Sequence, residues 1–326
     1  MDPGPIGLSL PNRGVLFGAI SVEDMLWMTE TAENSGAFAS VWLGDSILAI
    51  PRLESLVTLG ALAARTRKVI LGTACMASLP LRHPIQLAHQ WASLDVISQG
   101  RMLLGACMGT SPSVSEPHRR EVEAFGIEGK SRPRRMEEGI SAMRELWTSE
   151  HASFDGTYVR FKDVNLLPKP VQRPCPPIWI ASNPSGFNSS RDLAERALRR
   201  VAEMADGWLM DVVDPEVFHD QLGVVERHAQ RTIPTAVHHM VNIGDDAASA
   251  FAEAGKFLKT YYHFEFIDEW MKKWVTAGPP EGCAERIQKY FDAGVGTMIL
   301  RFVTWDQRGQ LRRCIDEVLP RLRLRS

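Results

Sequence analysis

Short apolar runs alternate with longer amphipathic stretches from one end of the chain to the other. The apolar runs predict eight strands, near Ile6–Leu10, Ser40–Gly44, Lys68–Ala74, Arg101–Cys107, Pro177–Ser182, Gly207–Val212, Thr235–Ile243 and Thr297–Val303. Most are continuously apolar, as strands covered on both faces must be. Helical periodicity fills the intervals. Ser21 with Glu23 and Asp24 opens a helix to about Ser35, an N-cap followed by acids that complement the helix dipole. Further helices are predicted at Leu53–Arg65, Pro84–Ile97, Arg134–Trp147, Asp192–Met204, Pro215–Gln230, Ala247–Trp274, Cys283–Ala293 and Gly309–Leu322.

Eight strand-then-helix units predict an α/β fold of the (β/α)8 TIM-barrel type in one domain, residues 1–326. An open doubly wound sheet would carry a G-x-G-x-x-G turn after its first strand. Gly105-Ala106-Cys107-Met108-Gly109 has the wrong spacing and follows the fourth strand. Two segments interrupt the count. Residues 110–127 form a polar loop after the fourth strand, the end of a barrel that carries chemistry. Residues 149–177 precede the fifth strand and read as a hairpin turning at Asp155-Gly156, then a proline-rich return at the opposite rim or side.

Composition narrows the class without changing it. Of 326 residues, 44% are hydrophobic and 23% charged, with a formal net charge of −2. That balance argues against a nucleic-acid partner or an anionic membrane surface. No apolar run approaches the ~20 residues of a membrane span, and "MDPGPIGLSLP" does not read as a secretory signal. Five scattered cysteines without CxxC or zinc spacing are expected to be free thiols in a reducing cytoplasm, with no metal site.

The chemistry-bearing candidates lie at strand ends. In "VILGTACMASLPLRHP" a strong strand ends in Gly72-Thr73-Ala74-Cys75, four small residues that let a large group approach the backbone. "SNPSGFNSSR" follows the fifth strand and opens a helix. Its hydroxyls and the helix N-terminus make a seat for phosphate. In "TAVHHMVNIG" neighbouring His238 and His239 face opposite sides of a strand, so at most one points inward. Arg301 in "MILRFVTWD" lies among apolar residues; it either binds an anionic group or pairs with an acid such as Asp306.

The run "SVWLGDSILAIPRLESLVTLGALAARTRKVILGTACMASLPLRHP", continued by "RRMEEGISAMRELW" and "ALRRVAEMADGWL", resembles the luciferase-like monooxygenase family. That superfamily of flavin-dependent barrels includes bacterial luciferase, alkanesulfonate monooxygenase and the F420-dependent oxidoreductases. The resemblance implies a non-prolyl cis bond between Ala74 and Cys75, with Thr73, Ala74 and Cys75 against the isoalloxazine ring. It implies cofactor contacts from Asp45, Cys107 and Thr110, and a phosphate seat at Ser182, Asn183, Ser189, Ser190 and Arg191. It implies catalytic or substrate roles for Asp45, His239 and Arg301. Ser46 stands where many deazaflavin-using relatives have a histidine, and Thr110 where their sugar-phosphate dehydrogenases have a catalytic glutamate. The implied activity is monooxygenation of a small organic substrate by O₂ and reduced FMN from a separate flavin reductase, in a cytoplasmic homodimer. The alternatives are hydride transfer with coenzyme F420 and a barrel that binds flavin without turnover.

Overall fold

A computed structural model describes residues 2–184 and 191–324, with the side chain of Arg191 outside the description. In chain order the elements are β1 Ile6–Leu10, α1 Val22–Ser35, β2 Ser40–Asp45, α2 Ser55–Arg65, β3 Ile70–Met76, α3 Pro84–Ser98, β4 Met102–Ala106, α4 Glu116–Ala124 and α5 Arg132–Thr148. There follow β5 Ala152–Asp155, β6 Arg160–Val164, β7 Ile178–Ala181, α6 Arg191–Met204, β8 Gly207–Asp211, α7 Pro215–Ala229, β9 Thr235–Ile243, α8 Ala247–Tyr262, α9 Asp268–Trp274, β10 Val275–Gly278, α10 Pro280–Asp292, β11 Thr297–Phe302 and α11 Gln307–Arg313. All eight strands expected of the barrel are present. Hydrogen-bonded neighbours run β10-β9-β11-β1-β2-β3-β4-β7-β8, and β8 also pairs with β9.

The chain divides into two compact units, residues 43–179 and residues 1–42 with 180–326; the boundaries fall inside β2 and β7. In the 43–179 unit, β3 and β4 run parallel, Leu71 beside Met102 and Gly72 beside Leu103, until the register slips between Gly72 and Met76. The expected hairpin is formed by β5 and β6, closed by Gly156 N–H donating to Val159 O at 2.9 Å. Its proline-rich return is anchored at the start of β4. Asp95 accepts from the N–H groups of Val171 and Gln172, and Gln172 Nε2 donates to Met102 O at 2.7 Å.

In the other unit β11 lies between β1 and β9, with Gly7 beside Ile299 and Ile299 beside His238. Ser21 caps α1 through a reciprocal bond with Asp24, as its sequence predicts. The stretch 247–274 is two helices rather than one. His263, in the left-handed region at φ 54°, ends α8 before α9 begins. The four-residue β10 adds a strand beside β9 that the apolar pattern did not separate from its neighbours. At the carboxyl end α11 passes into a π turn and a 3-10 turn instead of continuing to Leu322.

Candidate active site

Asp45 ends β2 as a buried carboxylate in a closed set of donors. Its Oδ1 accepts from Ser55 Oγ at 2.7 Å and from Arg82 Nη2 at 3.1 Å. Its Oδ2 accepts from the backbone N–H of Ser78 at 2.9 Å. Arg82 also donates from Nε to Ser78 Oγ at 2.7 Å and reaches Glu54 at 2.7 Å. One carboxylate therefore ties the end of β2, the start of α2 and the turn after β3. Charge-assisted bonds of this kind are the stronger class.

That turn follows the segment of interest. The bond between Ala74 and Cys75 is cis and non-prolyl, as expected from the resemblance. Leu71, Gly72, Thr73 and Met76 are buried, whereas Ala74 and Cys75 are half-exposed. Thr73 faces β4: its Oγ1 donates to Gly105 O at 3.0 Å and accepts from Gly105 N–H at 3.1 Å. Its hydroxyl is thus engaged with the strand, leaving the backbone of Ala74 and Cys75 as the reachable surface.

The thiol expectation is corrected here. Cys75 and Cys107 form a disulfide, their Cα atoms 5.9 Å apart. The slip in the β3–β4 register brings the ends of two neighbouring strands within bridging distance, which spacing along the chain does not reveal. Beyond Cys107, Thr110 presents its carbonyl to Arg132 Nη1 at 2.9 Å, and the same nitrogen donates to Met108 O. Arg132 is buried, and burial lowers its pKa. Glu121 Oε1 accepts three backbone N–H groups, from Ile47 at 3.2 Å, Leu48 at 2.7 Å and Ala49 at 3.1 Å. The 110–127 segment thus contains a helix, α4, that fastens the loop after β2.

The other unit holds the remaining candidates. Ser182 is fixed by its backbone: N–H to Leu209 O at 3.0 Å, and its carbonyl accepting from Trp208 Nε1 at 3.0 Å. Asn183 turns its amide nitrogen toward the end of β8, donating to the carbonyls of Asp211 and Val212. Burial pushes the Asp211 carboxyl up to about 6, against a smaller opposing effect of Asn183. Ser189, Ser190 and the Arg191 side chain lie outside the described residues.

His239 packs its ring 4.9 Å from that of Tyr290 on α10, and its Nε2 lies 2.8 Å from Thr276 Oγ1 on β10. Burial, then the charges of Arg286 and His238, lower its pKa to about 3. His239 therefore faces the helix side of the sheet. His238 faces the other side, its Nε2 3.0 Å from Ser9 Oγ on β1. Arg301 is 2% exposed, with its guanidinium 4.0 Å from the centre of the Tyr261 ring. It does not pair with Asp306, whose Oδ1 instead accepts from Gly309 N–H at 2.8 Å and caps α11.

Ser55, Ser78, Arg82, Glu121 and Arg132 carry site geometry that sequence reasoning did not assign. Arg82 carried a signal, since it closes the small-residue loop. The others meet their partners only through the fold and carried none.

Comparison with known proteins follows the same lines. The profile of the luciferase-like monooxygenase family matches residues 6–297. An F420-dependent glucose-6-phosphate dehydrogenase of Amycolatopsis mediterranei is 26% identical over 92% of this chain and 94% of its own. Among solved structures, the monooxygenase RslO1 from Streptomyces bottropensis superposes with a TM-score of 0.78 at 22% identity, over 97% of this chain and 99% of its own. An F420-dependent secondary alcohol dehydrogenase does so with a TM-score of 0.78 at 18% identity, over 99% and 100%. These two likenesses carry the barrel fold. With the family match spanning nearly the whole chain, the protein is an oxidoreductase that belongs to the luciferase-like monooxygenase family.

Proposed function

We propose that this protein is an F420-dependent oxidoreductase that transfers a hydride to or from a small organic substrate. The observation that carries the reading is the Ala74–Cys75 backbone: half-exposed in an otherwise buried strand end, and backed by the Asp45 web. Their side chains are small, and that of Cys75 is tied to Cys107, which fits a flat heterocycle laid against the backbone. F420, when bound, supplies a two-electron hydride carrier that does not activate O₂. The choice of F420 over FMN is supported by relatives named as F420-dependent dehydrogenases, 26% and 28% identical over at least nine tenths of this chain. The FMN and O₂ reading becomes the second one, favoured by Ser46 in place of a histidine. A separate flavin reductase belongs to that reading alone.

The roles of the chain's own groups follow. Ala74 and Cys75 support the ring. Asp45, with both oxygens engaged by Ser55, Ser78 and Arg82, holds that support in place. Ser182 and Asn183 would belong to the phosphate seat that the resemblance implies. His238, on the face opposite the helix layer, exchanges a proton with the substrate oxygen through the ring that also meets Ser9. Thr110 has no carboxylate to offer, so sugar-phosphate oxidation is not the reaction proposed. A second copy docks on α2 and α3, where Val57, Val96 and Ile97 are exposed.

Fluorescence titration with F420 and with oxidised and reduced FMN tests the reading. Saturable quenching of F420, with no O₂ consumption during turnover, is expected. Binding of FMN alone, with O₂ consumed, overturns it in favour of monooxygenation.

A further inference from the structure

The geometry points to Arg301 as the seat of a carboxylate on an aromatic or otherwise apolar substrate. The inference rests on the reading above and assigns the substrate class. Nε and Nη2 of Arg301 are both buried, and neither has a hydrogen-bond partner among the described residues. These two nitrogens form one side-on edge of the guanidinium, so a whole bidentate fork is open. Such a fork matches the two oxygens of a carboxylate in spacing and plane.

The acids in this neighbourhood are engaged elsewhere. Asp306 caps α11. Glu253 is held by Thr304 Oγ1 and by Asn242 Nδ2 at 3.1 Å. The Arg301 charge is offset on its other side by Tyr261, whose ring centre lies 4.0 Å from the guanidinium and whose hydroxyl, with that of Tyr262, favours the charged form. A ring face offsets part of the cost of a desolvated cation. An unpaired buried charge remains expensive, and an anion on the fork removes that expense.

The surroundings define the body of the ligand. Tyr261 touches Phe17 at 5.8 Å, Phe257 at 5.9 Å and Tyr262 at 4.9 Å between ring centres. Arg301 pairs in register with Met240, on the face of β9 that also carries His238. The proposed proton-exchanging group and the proposed anion seat therefore share one face of two adjacent strands. This shell offers flat apolar contact and few hydrogen bonds for a polyol. Because the fork is sealed from solvent, an occupant enters by displacing an apolar neighbour.

The test uses the full chain without cofactor, titrated with benzoate and with inorganic phosphate and read by intrinsic fluorescence and melting temperature. Saturable benzoate binding is expected, with phosphate at least ~10-fold weaker because it lacks the apolar body. Arg301→Gln abolishes binding. Arg301→Lys, which keeps the charge and loses the fork, weakens it by about tenfold or more. The ¹⁵Nε resonance of Arg301 in the unmutated protein keeps the test decisive where a variant does not fold: benzoate must shift it. No saturable benzoate binding, benzoate binding that leaves this resonance unmoved, or phosphate binding tighter than benzoate overturns the proposal. F420 titration of the same samples separates the two readings: benzoate binding without F420 binding removes the cofactor assignment and leaves the seat, and the reverse removes the seat alone.

Discussion

Asp45 Oδ2 accepts a hydrogen bond from the backbone N–H of Ser78 at 2.9 Å, joining the end of β2 to the turn that follows the cis bond of β3. The other oxygen is held by Ser55 and Arg82. The carboxylate thereby acts on the Ala74–Cys75 backbone through its neighbours. Asp45→Asn presents an amide donor to one of these donors. It should cost about 1–3 kcal/mol of stability and weaken cofactor binding about tenfold, leaving the pH profile of kcat/KM unmoved. Urea unfolding, F420 titration and the pH profile check this. Loss of one limb of the profile would assign Asp45 to proton transfer instead.

The Cys75–Cys107 pair is a countable property. Denatured without reductant, the protein should titrate three thiols per chain, those of Cys175, Cys283 and Cys314. After reduction it should titrate five, the full cysteine complement. In the native state Cys175 should react first, because burial suppresses the other two. It pushes the Cys283 thiol up to about 12 and Cys314 higher still. Five thiols before reduction would show that the pair is not bonded.

Two groups, buried His239 and half-buried Asp211, give opposed pH dependences. The folded pKa of His239 is about 3 against an ordinary 6.5, so the unfolded chain binds the extra proton. Its contribution is present above pH 6.5 and is lost as pH falls toward 3. The folded pKa of Asp211 is about 6 against an ordinary 3.8, so the native state holds the extra proton. Its contribution is present below pH 3.8 and is lost as pH rises toward 6. The two nearly cancel between pH 4 and 6. Asp211→Asn should therefore make stability fall on acidification by about 1.4 kcal/mol per pH unit more steeply than wild type. His239→Asn should make it rise. Urea unfolding at several pH values across this window measures both slopes, and parallel curves for all three proteins would refute the assignment.

Glu121 gathers the N–H groups of Ile47, Leu48 and Ala49 on one oxygen. Glu121→Ala strands three donors near the end of β2. It should destabilise the protein by about 2 kcal/mol and speed proteolysis within residues 46–54. Limited digestion followed by mass spectrometry locates the cut. Cleavage unchanged from wild type would mean that α4 does not hold this loop.

The barrel strands were legible because burial on both faces leaves unbroken apolar runs, and the Asp155-Gly156 hairpin because its turn chemistry is local. β10 was not legible. It is four residues long and directly follows α9, so no polar break marks its start. The division of 247–274 at His263 was hidden for a similar reason: no glycine or proline marks the left-handed residue.

By itself the sequence determined the strand and helix alternation, which rests on local pattern, while the family and the position of the cis bond were implied by the resemblance its motifs carry. The tertiary structure alone decided which groups meet. It paired Cys75 with Cys107, gave Asp45 its three donors, turned His239 to the helix layer and His238 away from it, and left one edge of Arg301 open above Tyr261. Each of these depends on strand register and side-chain burial between segments distant in the chain. Neither quantity has a local signature, because register is set by the whole pattern of pairing and burial by what packs across it.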